Sequence, residues 1–406
     1  MLTQFVILLA ILISAGAPLT RADAGQEASP TELLASLERP VWSRRGDQQY
    51  MKRVLAAYDP LTGLRQELTV QEDPIPREGK NLCTAISGNS MFSLMFKPTP
   101  CVIRVRGDER TAIPFPSSPD LERAIARSHA VRVMEPSPDA LGWVAYMSMS
   151  DVVMHHEQTT RVFDLKWIDW EGGTGMNDVA FSWSPDSRKV AFYYAYAEGM
   201  RASPAIRDFG VALVTFDEGL VELVKPSGRT TAWLGIEAIP PQWSSDSQYV
   251  YFVQGPVPGE KLQPKVHPAF TYRVDIRTGQ EEKLAQGTAT SVAPDDSYLL
   301  LSAHCVKTEK GDVEGRSAKL DLRTRKVELL PPLVGLPRIS PSGRYVVAMC
   351  RDKERFVARF FDASDWSMIS DPGPIQGTGT LAEWYTFCRW ITLDSPPQPA
   401  VPTTQP

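Results

Sequence analysis

The chain has 406 residues, of which 43% are hydrophobic and 22% charged, so it is long and apolar enough to bury a substantial core. Its formal net charge is −5 at pH 7 and no basic block occurs, which argues against a nucleic acid as its partner. No segment is apolar over the length that a membrane-spanning helix needs, so we expect no membrane span.

The N-terminal residues have the pattern of a secretory signal peptide. The apolar run 5–13 is followed by a small-x-small cleavage pattern at 22–24, with an alternative at 15–17. We predict that residues 1–24 are a signal peptide and that the mature protein is extracytoplasmic, either periplasmic or secreted.

Residues 25–48 are predicted to be an N-terminal helical and linker segment. Within it, Ser-Pro-Thr-Glu at 29–32 forms a capping box with proline at the first helical position, and three leucines follow at helical spacing. The sequence therefore predicts a short N-terminal helix. Residues 118–126 begin in the same way and predict a second helix.

From residue 49 onwards a short motif recurs. Five times a Ser-Pro-Asp sequence or a close variant is followed directly by an apolar strand. Around the copy at Pro185, apolar residues alternate on both sides of the turn, which is typical of an antiparallel β-hairpin. The second residue of each motif, taken as its anchor, lies 47 to 60 residues from the next: Pro138, Pro185, Ser245, Pro294 and Pro341.

A second turn, rich in Asp, Thr and Gly, follows the hairpins, as in 272–279. Two hairpins in each repeat make four antiparallel strands, which is one blade of a β-propeller. A degenerate copy is centred on Gly88, and residues 384–393 are predicted to close the ring by pairing with 51–70. We therefore predict an all-β propeller over residues 49–394 with seven four-stranded antiparallel blades, or six if the Gly88 copy or the shared blade is misread.

The repeat has a known counterpart. Trp-Ser-Pro-Asp-Ser-Arg-Lys-Val-Ala-Phe at 183–192 resembles the WD40-like (TolB-type) propeller repeat, and Asp-Ile-Arg-Thr-Gly at 275–279 matches the second turn of that repeat. Such repeats occur in extracytoplasmic scaffold proteins, peptidase accessory domains and some polysaccharide lyases. The resemblance therefore implies the fold much more strongly than an activity. The last residues, 395–406, are predicted to be a disordered Pro-rich tail.

The chain has five cysteines, which in a secreted protein suggest disulfides. Cys83 and Cys101 fall in strands of one predicted blade, and Cys305 and Cys350 lie near the ends of equivalent strands in successive blades. These two pairs are the disulfide candidates. The spacing leaves the connectivity open, and Cys388 would be left over.

The connections between the predicted strands differ in length on the two faces of the propeller. The turns within each hairpin lie on one face and are short, whereas the connections between second and third strands and between blades lie on the other and are long. Extra length gathered on one face of a repeat protein marks a binding face. The binding candidates on this long-loop face are His155, His156, Arg201, Arg207, Trp233, Lys261, His267 and His304.

No catalytic motif accompanies these residues, and no catalytic residue is assigned. There is no Gly-x-Ser-x-Gly elbow and no phosphate-binding glycine loop, and the sequence around His155 and His156 lacks the second histidine of a zinc-protease helix. We therefore predict a monomeric binding or scaffold protein without a cofactor, whose loop-rich face meets a protein or a glycan. The alternative hypothesis is a carbohydrate-active propeller enzyme, a lyase or hydrolase, in which the histidines of that face hold a divalent metal.

Overall fold

The structure of the chain is a computed structural model, and it describes residues 31–38, 40–74, 83–87, 90–95, 101–114, 118–127, 131–147, 151–164, 181–195, 206–225, 230–232, 239–255, 269–307, 309, 313–332, 334–352, 355–375, 384 and 388–393. The predicted signal peptide and C-terminal tail lie outside these residues. Residues 32–392 form one compact unit, and residues 1–31 with 393–406 form a second, of which only Thr31 and Leu393 are described.

Thirty β-strands and one α-helix make up the regular structure of the described residues. The first fifteen strands are β1 Thr31–Leu37, β2 Val41–Arg45, β3 Gln48–Tyr58, β4 Arg65–Pro74, β5 Cys83–Ser87, β6 Ser90–Met95, β7 Cys101–Arg106, β8 Glu109–Pro114, β9 Val131–Pro136, β10 Gly142–Met147, β11 Asp151–His156, β12 Thr159–Asp164, β13 Ser182–Trp183, β14 Lys189–Ala195 and β15 Ile206–Thr215. The other fifteen are β16 Gly219–Val224, β17 Thr230–Ala232, β18 Gln242–Trp243, β19 Tyr249–Gln254, β20 Phe270–Asp275, β21 Glu281–Gln286, β22 Thr288–Val292, β23 Tyr298–Lys307, β24 Val313–Asp321, β25 Val327–Leu329, β26 Pro337–Ile339, β27 Tyr345–Asp352, β28 Arg355–Asp362, β29 Met368–Gly373 and β30 Cys388–Leu393. The helix is α1, Pro119–Arg127.

The strands form seven sheets, which confirms the all-β propeller and its seven blades. Blade 1 contains β30, β1, β3 and β4, with β2 added on β3; blade 2 contains β5 to β8, blade 3 β9 to β12, blade 4 β13 to β16 with β17 added on β15, blade 5 β18 to β21, blade 6 β22 to β25, and blade 7 β26 to β29. The first strands of successive blades contact one another, so they are the innermost strands of the ring.

Each Ser-Pro-Asp turn is closed by its own polar groups, as the copy in blade 4 shows. The Ser184 amide donates to the Lys189 carbonyl at 2.8 Å, and the Ser187 amide donates to the Ser184 carbonyl at 2.9 Å. The Asp186 carboxylate accepts a hydrogen bond from the Arg188 amide at 3.1 Å. Because Ser187 also takes a positive φ of 58°, the chain reverses within a few residues and a tight hairpin results.

Two equivalent tryptophans join successive blades. Trp183 and Trp243 are each 7% exposed, so both belong to the core. Trp183 Nε1 donates to the Glu135 carbonyl of the preceding blade at 3.0 Å, and Trp243 Nε1 donates to the Ser182 carbonyl at 2.9 Å. The buried indole thus has its hydrogen-bond partner on the preceding blade. The tryptophan at this repeat position packs in the core and also fixes its blade against the preceding one.

The two chain ends share blade 1, as the sequence predicts, but the strand order adds a member. β30 pairs with β1, and β1 pairs with β3 from Leu34↔Tyr58 to Leu37↔Leu55. The N-terminal strand therefore lies between the two segments that were expected to pair directly. Closure in this way joins the first and last parts of the ring and leaves no open sheet edge between them.

The predicted N-terminal helix is wrong, because residues 31–37 form β1. Leu33, Leu34, Ala35, Ser36 and Leu37 are all buried, at 6% exposure or less, so this segment has no polar face of the kind a surface helix needs. A strand buried on both faces reads as a continuous apolar run, and pairing with β3 and β30 overrides the local capping signal.

The second predicted helix is confirmed as α1. The Ser118 hydroxyl accepts a hydrogen bond from the Leu121 amide at 3.1 Å, which is the bond expected of an N-cap serine. Leu121 and Ala124 are buried against blades 2 and 3. Among the described residues, no helix is long and apolar enough to cross a membrane.

Neither predicted disulfide is formed. Cys101, Cys305 and Cys350 carry free thiols, as does Cys388. Cys83 lies on β5 and Cys101 on β7, with β6 between them, so their backbones are about two strand spacings, or roughly 10 Å, apart. Cys305 and Cys350 lie on β23 and β27, which belong to different sheets, and a disulfide does not span the usual separation of about 10 Å between packed sheets.

Candidate binding face

The strand order assigns every connection to one of two faces. Because neighbouring strands in a blade are antiparallel, the turn between the first and second strands and the turn between the third and fourth lie at the same end. This end carries the Ser-Pro-Asp turns and is called the short-turn face. The connections between second and third strands and between blades lie at the other end, the long-loop face.

The structure corrects the placement of His155 and His156. Strand β11 begins at Asp151, so the two histidines are its last residues and lie at the short-turn face instead of the long-loop face. Only residues 148–150 separate β10 from β11, where the sequence suggested a long loop. The physical reason is that the apolar residues 152–154 are fully buried in the blade, which starts the strand earlier.

His155 is a packed side chain of blade 3. It is 3% exposed, its ring stacks on Trp143 with 5.5 Å between ring centroids, and its Nδ1 lies 2.9 Å from the Thr160 hydroxyl. Burial, together with the neighbouring His156, lowers the pKa of His155. A neutral histidine held on both sides in this way contributes to the core and is not presented to a ligand.

His156 hydrogen-bonds to the aspartate of the neighbouring Ser-Pro-Asp turn. Its Nε2 lies 2.7 Å from Asp139 Oδ2, while the Ser137 hydroxyl donates to Asp139 Oδ1 at 2.5 Å. Burial opposes ionisation of Asp139, but hydrogen bonds from Ser137, His156 and the Leu141 amide outweigh it and lower the pKa of Asp139. The carboxylate is the centre of this group, whereas a nucleophilic triad needs the histidine between serine and carboxylate.

The other predicted site residues do not converge in the described structure. Arg207 lies on β15 at the long-loop end of blade 4, opposite Thr231. His304 lies on β23 at the long-loop end of blade 6, where its Nδ1 donates to the Gln286 carbonyl at 2.8 Å. Four candidates lie outside the described residues: Arg201, Trp233, Lys261 and His267.

A group of charges that sequence reasoning missed crosses the centre of the ring. Arg389 of β30 makes a bidentate ion pair with Glu135 of β9, in which Nη2 lies 2.5 Å from Oε2. β30 belongs to blade 1 and β9 to blade 3, and blade 2 stands between them. Two innermost strands of non-adjacent blades can meet only across the central channel, so this pair lies in the channel.

A third charge belongs to the same group. Arg338 of β26, in blade 7, donates to the backbone carbonyls of Trp384 and Cys388 and also acts electrostatically on Glu135. Burial raises the pKa of the Glu135 carboxyl to about 6, and the two arginines offset only part of that increase. We call Glu135, Arg338 and Arg389 the channel cluster.

The repeat itself held the signal for part of the channel cluster. Glu135 and Arg338 both stand three residues before the anchor of their repeat, a position that otherwise carries the small or neutral residues Ser182, Gln242 and Ser291. Charged side chains at one inner position of a ring repeat are brought towards a common axis. The third member, Arg389, belongs to the shared blade, which has no anchor from which to count.

Among the described residues, three strand segments added to the four-stranded plan lie at the long-loop face. In blade 1, β2 pairs with the first residues of β3, from Val41↔Lys52 to Arg45↔Gln48. In blade 4, β17 pairs with the first three residues of β15. In blade 6, β23 and β24 continue beyond a bulge as far as Lys307↔Val313. Added strands at one end of a repeat structure enlarge the surface that this end presents.

The addition in blade 1 carries an exposed tryptophan that the sequence prediction assigned to a linker. Trp42 and Val41 are each 62% exposed, and every residue of β2 is exposed. A hairpin signal was present in the sequence, because Gly46-Asp47 separates two strand-like runs and a Gly-Asp pair suits a two-residue hairpin turn. The positive φ of 60° at Gly46 agrees with that reading.

The described residues contain no group of three or more histidine, cysteine, aspartate or glutamate side chains arranged to hold a metal ion. This statement covers His155, His156 and His304 but not His267, which is outside the described part. The three charged residues of the channel cluster are two cations and one carboxylate, a combination suited to ion pairing and not to metal binding.

No protein-family model matches the chain, and no curated protein matches it. Several solved structures are similar in fold. TolB from Acinetobacter baumannii is 14% identical, with a TM-score of 0.39 over 83% of this chain and 80% of that one. An oligogalacturonate lyase in complex with manganese is 11% identical, with a TM-score of 0.45 over 84% and 85% of the two chains. The dihydro-heme d1 dehydrogenase NirN is 14% identical, with a TM-score of 0.44 over 86% and 69%. At these identities the similarity concerns the propeller fold alone.

Proposed function

We propose that the chain is an extracytoplasmic binding or scaffold protein, a closed propeller that presents its long-loop face to a protein or glycan partner. The observation that carries the proposal is the asymmetry of the two faces. In the part of the chain that the structure describes, the added strand segments β2, β17 and the extended β23–β24 hairpin lie at the long-loop face.

The short-turn face also supports the proposal, because its polar groups form hydrogen bonds with one another. The Asp139 amide donates to the Ser187 hydroxyl, and the Asp186 amide donates to the Ser247 hydroxyl, at 3.3 and 3.2 Å. Between blades 5 and 6, the Ser245 hydroxyl donates to the Asp296 carboxylate at 2.5 Å. Side chains that join neighbouring turns in this way stabilise the ring and have little capacity left for a ligand.

The channel cluster supplies the rigidity that a scaffold needs. An ion pair between blades 1 and 3 joins parts of the ring that are not neighbours in space except across the channel. Opening of the ring would separate Arg389 from Glu135 and break this bidentate ion pair. We infer that the blades move little relative to one another when the long-loop face binds.

The test is a comparison of partner capture by variants altered on one face at a time. One variant replaces residues 304–315 of the extended β23–β24 hairpin with a two-residue Asn-Gly turn. The matched control carries Leu61→Ser and Leu64→Ser, two exposed residues at the short-turn face. Both proteins are checked for an unchanged melting temperature before an extracytoplasmic extract and a panel of glycans are applied.

We expect the hairpin variant to lose partners that the wild type and the control retain. Equal recovery of every partner by all three proteins would overturn the assignment of the binding face. Turnover of any glycan in the panel would favour the alternative function, a carbohydrate-active enzyme.

A further inference from the structure

Strand β2 is exposed along its whole length and lies at the end of its sheet. It pairs with β3 and with no other described strand. All five of its residues are exposed, including the apolar Val41 and Trp42 at 62% each. The guanidinium side chains of Arg44 and Arg45 are also exposed, at 69% and 63%. A sheet edge with an exposed tryptophan is a template for pairing with another strand.

The sequence of β2 is complementary to itself in one antiparallel register. In an antiparallel ladder, opposed residues both turn their backbone groups towards the partner or both turn them away, so two identical strands can be centred only on one residue. Centring on Ser43 pairs all five residues. Trp42 of one copy then lies opposite Arg44 of the other, and Val41 lies opposite Arg45.

The neighbouring registers are less favourable. Centring on Arg44 places the two Arg44 side chains opposite each other, and like charges directly opposed across a ladder are destabilising. Centring on Trp42 pairs only three residues of each β2 strand, and neither arginine then faces a residue of β2. The register centred on Ser43 is therefore the one that uses the whole strand and opposes no two arginines.

The same hairpin already contains the contact that this register would repeat. The guanidinium carbon of Arg45 lies 4.9 Å from the centroid of the Tyr50 ring. An arginine placed opposite Trp42 would make the corresponding cation–π contact, for which tryptophan is the best of the aromatic side chains. The two-fold symmetry of the pair supplies this contact twice.

We propose that two copies of this protein associate through β2, antiparallel and centred on Ser43, so that the two blade 1 sheets become continuous. A second copy is the occupant that the edge specifies, because it brings the aromatic and the cationic side chains in the order that the register requires. The interface is small compared with a stable dimer, so the association is reversible and depends on concentration.

The register is tested by cross-linking. In the full chain, Ser43→Cys places two thiols opposite each other on the symmetry axis, where either kind of antiparallel pair brings the Cα atoms within disulfide range. Arg45→Cys is the matched control, because its two thiols would be separated by the length of the strand. We expect a covalent dimer with Ser43→Cys under mild oxidation, above the background of wild-type protein, and little with Arg45→Cys.

The side-chain contact is tested by an exchange. Sedimentation velocity over a wide range of concentration gives the dissociation constant of the dimer for wild type, Trp42→Arg, Arg44→Trp and the double variant that carries both changes. Trp42→Arg is expected to raise the dissociation constant about 5- to 30-fold, because two cation–π contacts are lost and arginines become opposed. Arg44→Trp loses the same contacts but opposes tryptophans, so a smaller rise is expected. The double variant restores tryptophan opposite arginine and is expected to recover most of the affinity. Leu64→Arg, exposed at the short-turn face, is the control for an added charge.

A wild-type protein that stays monomeric at every concentration would overturn the proposal, and would mean that Arg44 and Arg45 protect the edge from pairing. Equal cross-linking by Arg45→Cys, or a double variant no better than the single changes, would overturn the register. A variant that has lost the hairpin is recognised by a lower melting temperature. None of these results bears on whether the long-loop face binds another molecule, since no partner is present in the experiment.

Discussion

Glu135 and Asp139 stand four residues apart in blade 3, and their carboxyl pKa values move in opposite directions. Burial raises the pKa of Glu135 to about 6 even though Arg389 and Arg338 oppose it. Burial also acts on Asp139, but hydrogen bonds from Ser137, His156 and a backbone amide prevail and lower its pKa. A charged partner therefore does not decide the outcome. What decides it is how much solvent remains and how many donors point at the carboxylate.

The same contrast separates the two regions in which these residues lie. The channel cluster joins distant blades through a few buried charges, whereas the short-turn face joins adjacent blades through many small hydrogen bonds. Loss of one partner should therefore be severe in the channel and mild in the turns.

The largest expected effect is in the channel. Arg389→Ala leaves Glu135 buried without its bidentate partner and should lower the free energy of unfolding by about 3–5 kcal/mol. The double variant Glu135→Leu with Arg389→Met removes both charges at similar volume and should unfold within about 1 kcal/mol of wild type. Urea denaturation followed by tryptophan fluorescence measures all three proteins. A double variant as unstable as Arg389→Ala would show that the pair itself, and not the unpaired charge, matters.

A second variant tests how closely the turn in blade 3 is packed. A Cβ added at Gly142 would lie 2.5 Å from the His155 carbonyl oxygen and 2.8 Å from the His156 ring, so Gly142→Ala should destabilise the fold by about 1–3 kcal/mol. The equivalent residue of blade 4 is Lys189, four residues after its anchor in both repeats. Lys189→Ala is the control, and thermal melting of the two variants gives the comparison.

The opposite pKa shifts predict opposite responses to pH. The pKa of Glu135 is raised from 4.5 to about 6 in the folded state. Its contribution to the free energy of unfolding is therefore greatest below pH 4.5 and falls, by about 2 kcal/mol, as the pH rises through 6. The pKa of Asp139 is lowered from 3.8, so its contribution is present above that pH and is lost on further acidification.

Urea denaturation at a series of pH values measures this contrast. Glu135→Gln should remove the decline in the free energy of unfolding between pH 4.5 and 6. Asp139→Asn should leave that decline unchanged but lower the free energy of unfolding at neutral pH. If the free energy of unfolding of the wild type rose between pH 4.5 and 6 relative to that of Glu135→Gln, the raised pKa of Glu135 would be contradicted.

The smallest expected effect concerns the lysine beside the turn of blade 4. Lys189 Nζ lies 2.7 Å from Asp186 Oδ2, in the position that His156 takes beside Asp139. Lys189 and Asp186 are both part-exposed, so Lys189→Met should cost about 0.5 kcal/mol, and less at high salt. Unfolding at low and high ionic strength checks this value, and a loss as large as that of Gly142→Ala would contradict it.

Much of the fold could be predicted because the repeat is local. The Ser-Pro-Asp motif closes a hairpin with its own side chains, so each copy indicates a turn and two strands without reference to the rest of the chain. The same reasoning found α1 from its cap at Ser118. It failed at residues 31–37, where a capping pattern was present but pairing with β3 and β30 decided the outcome.

The site was less predictable, because faces depend on where strands begin. His155 and His156 were assigned to a long loop, but β11 begins at Asp151 and ends with these two histidines at the opposite face. Trp42 was not among the binding candidates, because its segment was predicted to be a helical linker and not a strand.

By itself the sequence determined the repeat and the hairpin turns, and it limited the number of blades to six or seven, because these depend on residues close together in the chain. Only the tertiary structure decided that β1 lies between β30 and β3, that Glu135 meets Arg389 across the channel, and that β2 forms an exposed edge. The physical reason is that ring closure brings together residues more than 250 positions apart, such as Glu135 and Arg389, and no local pattern records which of them will meet.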